Sequence, residues 1–133
     1  MIGSVGIDII EIKRVKKAIE RWKEHFLNRV FTFGEINYCQ KNKFPEFSFA
    51  GRFACKEAVM KALGTGLSSE VGWKDFEVIR GNKGRPELLI SKQIEEKFGK
   101  PKFLISLSHS KEYAVAVAVL LNNCRDPDGS GET

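Results

Sequence analysis

The segment YAVAVAVLL at residues 113–121 constrains the fold more than any other part of the chain. Alanine occupies every second position from 114 to 118 and larger apolar residues lie between, which is the alternation of a β-strand. Because both faces of this strand are apolar, we expect it to be buried. The segment before it alternates in the same way at Phe103, Ile105 and Leu107, so the two segments predict a pair of neighbouring strands.

Helical periodicity accounts for much of the first half of the chain. Apolar residues recur at steps of three and four over residues 11–27 and again over 47–63, so each stretch predicts a helix with one buried face. Between these stretches, Thr32 and Glu35 have the spacing of a capping box, which predicts the start of another helix. Gly64 is the expected C-terminal cap of the helix over 47–63.

The remaining segments complete the order of elements. Residues 2–10 predict a first strand, the alternating residues within 73–90 predict a hairpin, and residues 92–98 predict a short helix. This order is not a repeated βαβ pattern, so we expect an α+β fold in which an antiparallel sheet packs with helices on one side. We expect a single domain over residues 1–121 and a flexible tail over the polar residues 122–133.

Composition narrows the class of protein. With 133 residues, 42% of them hydrophobic, the chain is long enough to form one core. It has neither the run of about 18 apolar residues that a membrane span needs nor a secretion signal, so we expect a cytoplasmic protein.

Cys39, Cys55 and Cys124 are odd in number and far apart, which predicts reduced thiols. The net charge of +5 favours an anionic partner, which leaves nucleic acid, a phosphorylated ligand and an acidic protein open.

Glu57 is the most informative residue of the helix over 47–63, because its direction falls between those of Phe53 and Ala50 on the apolar face. A carboxylate placed there needs a cation, a metal ion, hydrogen-bond donors or a raised pKa. Lys61 lies four residues later and offers an ordinary ion pair within the helix. From the helix alone, an ordinary ion pair with Lys61 and a functional role are therefore equally good explanations of Glu57.

Asp8 shifts that balance towards function, because it is a second carboxylate in apolar sequence, on a strand that can lie against the helix. Two such carboxylates suit Mg²⁺, which fills its remaining positions with water and phosphate oxygens. Basic residues and glycines near Glu57 suit a phosphate-bearing ligand, although a solvated helix face also explains the basic ones. These residues are Arg52, Lys56, Lys61, Gly64 and Gly66.

His109 lies where the strand SLSHS ends, so its imidazole is a candidate for binding phosphate or moving a proton, with a structural histidine as the alternative. The chain has no Walker motif, no GxGxxG after a strand and no GxSxG elbow, which disfavours the standard nucleotide folds and serine catalysis. The first helix carries a basic face that serves solubility or attracts an acidic protein or nucleic acid. No RNP or zinc-finger pattern supports nucleic acid.

Four motifs in one order resemble the bacterial holo-acyl-carrier-protein synthases, which are phosphopantetheinyl transferases. They are GIDIIEI at 6–12, FAGRFACKEAVMKALGTG at 49–66, NKGRPEL at 82–88 and SLSHSKEYAVAVAV at 106–119. The resemblance implies transfer of 4′-phosphopantetheine from coenzyme A to a serine of apo acyl carrier protein, for fatty acid biosynthesis. Adenosine 3′,5′-bisphosphate is the expected second product.

The same resemblance implies roles for individual residues. Asp8 and Glu57 are expected to hold Mg²⁺ and, with Lys61, to form the catalytic group. Contacts to coenzyme A are expected from Arg52, Lys61, Gly64, Thr65, Gly66 and His109, and across a homotrimer interface from Asn82, Lys83, Arg85 and Pro86. The carrier protein is expected to bind Arg14, Lys13, Lys17 and Arg21. Glu35 is a possible base for the serine, but its capping-box spacing favours a structural role.

Two other classes of protein compete with this interpretation: a module that only binds acidic proteins, and a small RNA-binding domain. Asp8 and Glu57 would repel RNA phosphates unless a metal ion lay between them. A module that only docks an acidic protein would have no use for coenzyme A. The carboxylate pair therefore favours the transferase and disfavours nucleic acid as a partner.

Overall fold

The computed structural model of the protein describes residues 1–122, and the rest of the predicted tail lies outside them. The described part contains five strands and five helices, and none of these helices is long and apolar enough to cross a membrane. In chain order the elements are β1 (Ile2–Glu11), α1 (Ile12–Trp22), α2 (Glu24–Val30), α3 (Phe33–Gln40), α4 (Pro45–Leu63), β2 (Phe76–Arg80), β3 (Pro86–Ile90), α5 (Lys92–Phe98), β4 (Lys102–His109) and β5 (Tyr113–Leu121).

The strands form two antiparallel sheets. The larger sheet has the order β1-β5-β4, and β2 pairs with β3 in a separate hairpin. The hairpin packs against α3 and α4 through β2 and against β4 through β3. The predicted α+β class is confirmed, whereas the single predicted sheet is in fact divided in two.

Helix α4 covers one face of the larger sheet. On β5 the residues Ala114, Ala116 and Ala118 are at most 1% exposed, because their small side chains let the helix lie close to the sheet. The valines between them are only half-buried on the opposite face. The prediction that β5 is buried is therefore confirmed for its alanine face and wrong for its valine face within one chain.

The helix boundaries depart from the predicted ones in one important place. The predicted helix over 11–27 is wrong, because Lys23 adopts a φ of 48° and separates α1 from α2. The capping box is confirmed: Glu35 N donates to Thr32 Oγ1 at 3.2 Å, and Thr32 N donates to Glu35 Oε1 at 2.9 Å. Helix α4 ends as predicted at Gly64, whose φ of 79° places it in the left-handed region.

Cys39 and Cys55 are buried free thiols, which confirms the prediction for these two residues. Burial raises the pKa of each thiol to about 12, so both remain protonated and unreactive at neutral pH. Cys124 lies outside the described residues.

A buried ion pair connects α4 to the elements around it. Lys56 Nζ lies 2.6 Å from Glu35 Oε1, and both side chains are fully buried. The Lys56 ammonium also donates to Val30 O at 2.7 Å and to Trp73 O at 3.1 Å. Glu35 Oε2 accepts from Val78 N at 2.7 Å. Lys56 is therefore not the phosphate contact that the sequence suggested, and Glu35 is held as a structural carboxylate rather than a base.

Gly6 allows β1 to lie directly on α4. A Cβ at this position would lie 2.0 Å from Ala58 O, a distance that no side chain tolerates. Ser4 Oγ donates to Ala62 O at 2.5 Å on the same face of the strand. Because side chains alternate along a strand, Asp8 projects from this face as well, towards α4.

We expect Gly6→Ala to separate β1 from α4 and to lower the melting temperature by at least about 8 °C, since the added Cβ overlaps a backbone carbonyl. The matched control is Gly72→Ala, where a Cβ would meet nothing closer than Asp75 Oδ2 at 3.7 Å. Differential scanning calorimetry of both variants measures the effect. An equal, small change in both variants would show that the close contact at Gly6 is not needed.

Candidate active site

Asp8 and Lys61 meet where β1 crosses α4. Lys61 Nζ donates to Asp8 Oδ1 at 3.1 Å and to Ile7 O at 3.0 Å. The Asp8 side chain is only 15% exposed, whereas that of Lys61 is 54% exposed. The salt bridge of Lys61 is therefore made to Asp8 on β1, not to Glu57 on its own helix as the structural explanation predicted.

Glu57 lies half-buried one turn before Lys61, close enough to Asp8 for their charges to interact. Burial raises the pKa of the Glu57 carboxyl, the negative charge of Asp8 raises it further, and the Lys61 ammonium opposes the rise. A second positive charge at this place would relieve the repulsion between the two carboxylates. The arrangement is therefore suited to binding a cation.

The donor set decides which cation suits the site. Two carboxylates offer oxygen ligands alone, which is the chemistry that Mg²⁺ prefers. Within residues 1–122 no group of three or more histidine, cysteine, aspartate or glutamate residues is placed to hold a metal ion, so these side chains alone do not complete a coordination shell there. The pair Asp8 and Glu57 fits an ion that obtains its other ligands from water and from phosphate.

Arg52 contributes a positive charge to a second part of the site. Its side chain is 91% buried, since its relative exposure is 9%, and its guanidinium lies 4.5 Å from the centre of the Tyr38 ring. Among residues 1–122 its buried Nε finds no hydrogen-bond partner. A buried donor without a partner is costly, so this atom is available to an anionic ligand.

The cavity beside Arg52 has a volume of about 200 Å³ and extends to the end of β4. It is lined by Phe47, Ser48, Gly51, Arg52, Leu107, Ser108 and His109. His109 Nδ1 lies 3.1 Å from Ser110 O, and since a carbonyl only accepts, this contact is a hydrogen bond in the tautomer that carries its proton on Nδ1. The guanidinium, the imidazole and two hydroxyls give the cavity the polarity of an anion site.

The sheet register places this cavity near the carboxylate pair. Asp8 is opposite Ala116, and Ala116 is opposite Leu107, so the three residues form one row across the sheet. Neighbouring strands are about 4.8 Å apart, which separates the backbones of Asp8 and Leu107 by about 10 Å. One extended ligand with several phosphates can therefore reach both places.

The other predicted site residues lie around this centre. Gly64 N and Thr65 N both donate to Met60 O, so these two amides close the last turn of α4. Gly66 follows with a φ of 63°, and the whole 64–66 segment is exposed just beyond Lys61.

The predicted interface residues lie at the tip of the β2–β3 hairpin. Asn82, Lys83 and Arg85 are exposed there, and Pro86 is half-buried. Gly81 N donates to Arg85 O at 2.7 Å, which closes the turn. The structure does not bring this tip to Asp8, Glu57 or Lys61 through any hydrogen bond or salt bridge within residues 1–122.

The basic face of α1 lies on the surface next to an aromatic groove. Arg14 is exposed, as are the other basic residues predicted for the carrier, namely Lys13, Lys17 and Arg21. The groove has a volume of about 420 Å³ and is lined by Trp22, His25, Phe26, Arg29, Val30, Phe53 and Trp73. Its floor includes Phe53 stacked on Trp73, with ring centres 4.9 Å apart.

Comparisons with known proteins identify the family of the chain. The sequence matches the family model of the 4′-phosphopantetheinyl transferase superfamily over residues 4–118. The chain is 49% identical to the holo-[acyl-carrier-protein] synthase of Protochlamydia amoebophila over 90% of this chain and 98% of that protein. It is 50% identical to the synthase of Chlamydia pneumoniae over 88% of this chain and 95% of that protein.

Solved structures give the same result. The Helicobacter pylori holo-[acyl-carrier-protein] synthase in complex with coenzyme A has a TM-score of 0.81 and 35% identity, covering 88% of this chain and 99% of that chain. The Bacillus anthracis synthase in complex with CoA (3′,5′-ADP) has a TM-score of 0.77 and 40% identity, covering 90% and 96%. This chain belongs to the 4′-phosphopantetheinyl transferase superfamily. Within it, the relatives named above are holo-[acyl-carrier-protein] synthases.

Sequence reasoning missed two features that shape the site. Gly6 was part of a recognised motif, but its need for close backbone contact was not inferred, although a glycine inside a strand is a signal for such contact. The aromatic groove was missed because Trp22 and Phe26 have the spacing of the buried face of the helix predicted over 11–27. In the structure Trp22 is 54% exposed.

We expect Glu57→Gln to raise the melting temperature of the metal-free protein by about 2 °C at pH 7, because it removes a repulsive charge that solvent partly screens. The raised pKa of Glu57 means that its ionisation destabilises the fold as pH rises above the usual glutamate range. At pH 4 the carboxyl is mostly protonated, so variant and wild type should melt together.

Thermal denaturation in EDTA at both pH values measures this difference. Glu11→Gln is the control, since Glu11 is exposed and its side chain makes no cap hydrogen bond. A lower melting temperature for Glu57→Gln at pH 7 would contradict the repulsion between Asp8 and Glu57.

Proposed function

We propose that this protein transfers 4′-phosphopantetheine from coenzyme A to a serine of an apo acyl carrier protein, with Mg²⁺ held by Asp8 and Glu57. The transfer is the reaction of the family to which the chain belongs. The observation that carries the proposal is a pair of carboxylates whose strand register leads to a cavity lined by Arg52 and His109, with the backbones of Asp8 and Leu107 about 10 Å apart. We place the transferase in residues 1–121, in the cytoplasm, in the service of fatty acid biosynthesis.

The chemistry is a phosphoryl transfer. The serine oxygen of the carrier forms a bond to the phosphorus that bears the pantetheine, and the bond from this phosphorus to the bridging oxygen breaks. Adenosine 3′,5′-bisphosphate leaves with the electron pair, and the serine proton passes to solvent. Bound Mg²⁺ supplies Lewis-acid stabilisation of the negative charge on the phosphates.

The residues of this chain orient the coenzyme. Lys61 lies beside the carboxylates and is suited to contact the pyrophosphate once its ammonium leaves Asp8. Arg52 and His109 are suited to bind another phosphate of the same coenzyme, because they line a cavity with an unsatisfied donor. The exposed backbone of Gly64, Thr65 and Gly66 is suited to line the approach. Positioning of this kind supplies most of the catalysis in phosphoryl transfer.

The carrier protein is proposed to bind along α1. Arg14, Lys13, Lys17 and Arg21 present positive charge to an acidic helix of the carrier. The aromatic groove at the end of α1 also carries Arg29 and His25 at its border, so it offers apolar contact within a basic surrounding. A partner helix with apolar and acidic residues complements this surface in both respects.

A homotrimer explains two features of the single chain: the exposed apolar face of the larger sheet, and the predicted interface residues at the hairpin tip. The sheet face opposite α4 exposes Val5, Ile7 and Ile9 on β1 and Leu104 on β4, each at least 56% exposed. The half-buried valines of β5 lie between them. Such a continuous apolar face is a contact surface for other copies of the chain. In a trimer, Asn82, Lys83, Arg85 and Pro86 of one subunit are proposed to reach the coenzyme bound to its neighbour.

Intact mass spectrometry of an apo acyl carrier protein tests the function. We expect one added phosphopantetheine with coenzyme A and Mg²⁺ and none with EDTA. Asp8→Ala and Glu57→Ala should each lower the transfer rate at least about 100-fold while circular dichroism shows the fold intact. Glu96→Ala removes an exposed carboxylate on α5, outside the proposed site, and should keep the rate.

Each result has a distinct meaning. No modification of several carriers would support a module that only binds acidic proteins. Transfer that persists in EDTA, or in both carboxylate variants, would retain the enzyme and remove the metal role of Asp8 and Glu57.

We expect Arg14→Ala to raise KM for the carrier about tenfold and to leave KM for coenzyme A unchanged, because Arg14 lies on the carrier side of the proposed site. Steady-state kinetics with each substrate varied in turn separates the two effects. Lys92→Ala on α5 removes an equal surface charge and should change neither KM. An equal loss for both substrates would indicate that Arg14 is structural.

A further inference from the structure

The ammonium of Lys61 is bound to Asp8, one of the two carboxylates proposed to hold a metal ion. It donates to a carboxylate oxygen of Asp8 at 3.1 Å and to the carbonyl oxygen of Ile7 at 3.0 Å. Oxygens of both kinds are ligands of hard divalent cations. The Lys61 ammonium therefore binds oxygens that could also bind a metal ion.

The negative charges of Asp8 and Glu57 explain why the Lys61 ammonium is bound here. Asp8 and Glu57 repel each other, and the charge of Lys61 acts against that repulsion. The Asp8 side chain is mostly buried, so water screens its charge poorly. Within residues 1–122 the salt bridge of Asp8 is made with Lys61.

Lys61 is also free to leave. Its side chain is 54% exposed, and a lysine stem with four flexible carbons can turn away from the strand at small cost. Lys56, five residues earlier, shows the contrasting arrangement: it is fully buried and bonded on several sides.

We propose that Lys61 is a resident counter-ion, which neutralises Asp8 in the metal-free protein and moves to the ligand's phosphate when a divalent cation displaces it. This inference rests on the proposed function, because it needs a metal ion and a phosphate ligand in the same site. It makes their binding cooperative: a phosphate that draws Lys61 from Asp8 strengthens metal binding, and the metal strengthens phosphate binding by the same factor.

Binding of Mn²⁺ alone, followed by electron paramagnetic resonance of the free ion, tests the displacement without any turnover. We expect Lys61→Met to bind Mn²⁺ about tenfold more tightly than the wild type, because the ion no longer competes with the ammonium. Methionine has no oxygen that could act as a new ligand. Lys102→Met on β4 is the matched control for net charge and should bind Mn²⁺ like the wild type.

Adenosine 3′,5′-bisphosphate provides the second half of the test. It should tighten Mn²⁺ binding about tenfold in the wild type and clearly less in Lys61→Met. Equal or weaker Mn²⁺ binding by Lys61→Met, compared with the wild type, would overturn the inference even if transfer to the carrier proceeds normally. Absence of Mn²⁺ binding by every form would overturn both this inference and the proposed metal site.

Discussion

The buried ion pair between Lys56 and Glu35 is the constraint on which the arrangement of the site depends. Burial lowers the pKa of Lys56, and the charge of Glu35 opposes this change. The pair is tolerated because Val30 O and Trp73 O take the other ammonium hydrogen bonds, while backbone amides satisfy the carboxylate. Removal of one partner would leave an unpaired buried charge, at a cost of about 3–5 kcal/mol.

This ion pair joins one side of α4 to α3. Glu57 follows Lys56 directly, and since successive helical residues differ by about 100°, it points away from α3 and towards β1. Gly6 then allows β1 to approach the helix so closely that Asp8 and Lys61 meet. The register of the sheet continues the row to Leu107, where Arg52 and His109 line their cavity. The candidate site therefore lies along the contact between α4 and the larger sheet.

Local sequence signals predicted the parts of the fold that depend on local interactions. The capping box at Thr32, the left-handed Gly64 and the hairpin all involve residues close in sequence. The break at Lys23 and the burial of Lys56 were missed, because tertiary packing decides them and a lysine in a helix is normally exposed. For the candidate site, Asp8 and Glu57 were found as carboxylates in apolar sequence. The salt bridge between Lys61 and Asp8 was not predicted, because the two residues are 53 positions apart in the sequence.

A crystal structure of the protein with coenzyme A and Mn²⁺, with the metal located by its anomalous scattering, tests the central claim most directly. The account predicts one Mn²⁺ peak between Asp8 and Glu57, a pyrophosphate beside it, and another phosphate on Arg52 and His109. It also predicts the hairpin tip of a second subunit against the nucleotide. Coenzyme A bound elsewhere, or a metal peak away from both carboxylates, would contradict it.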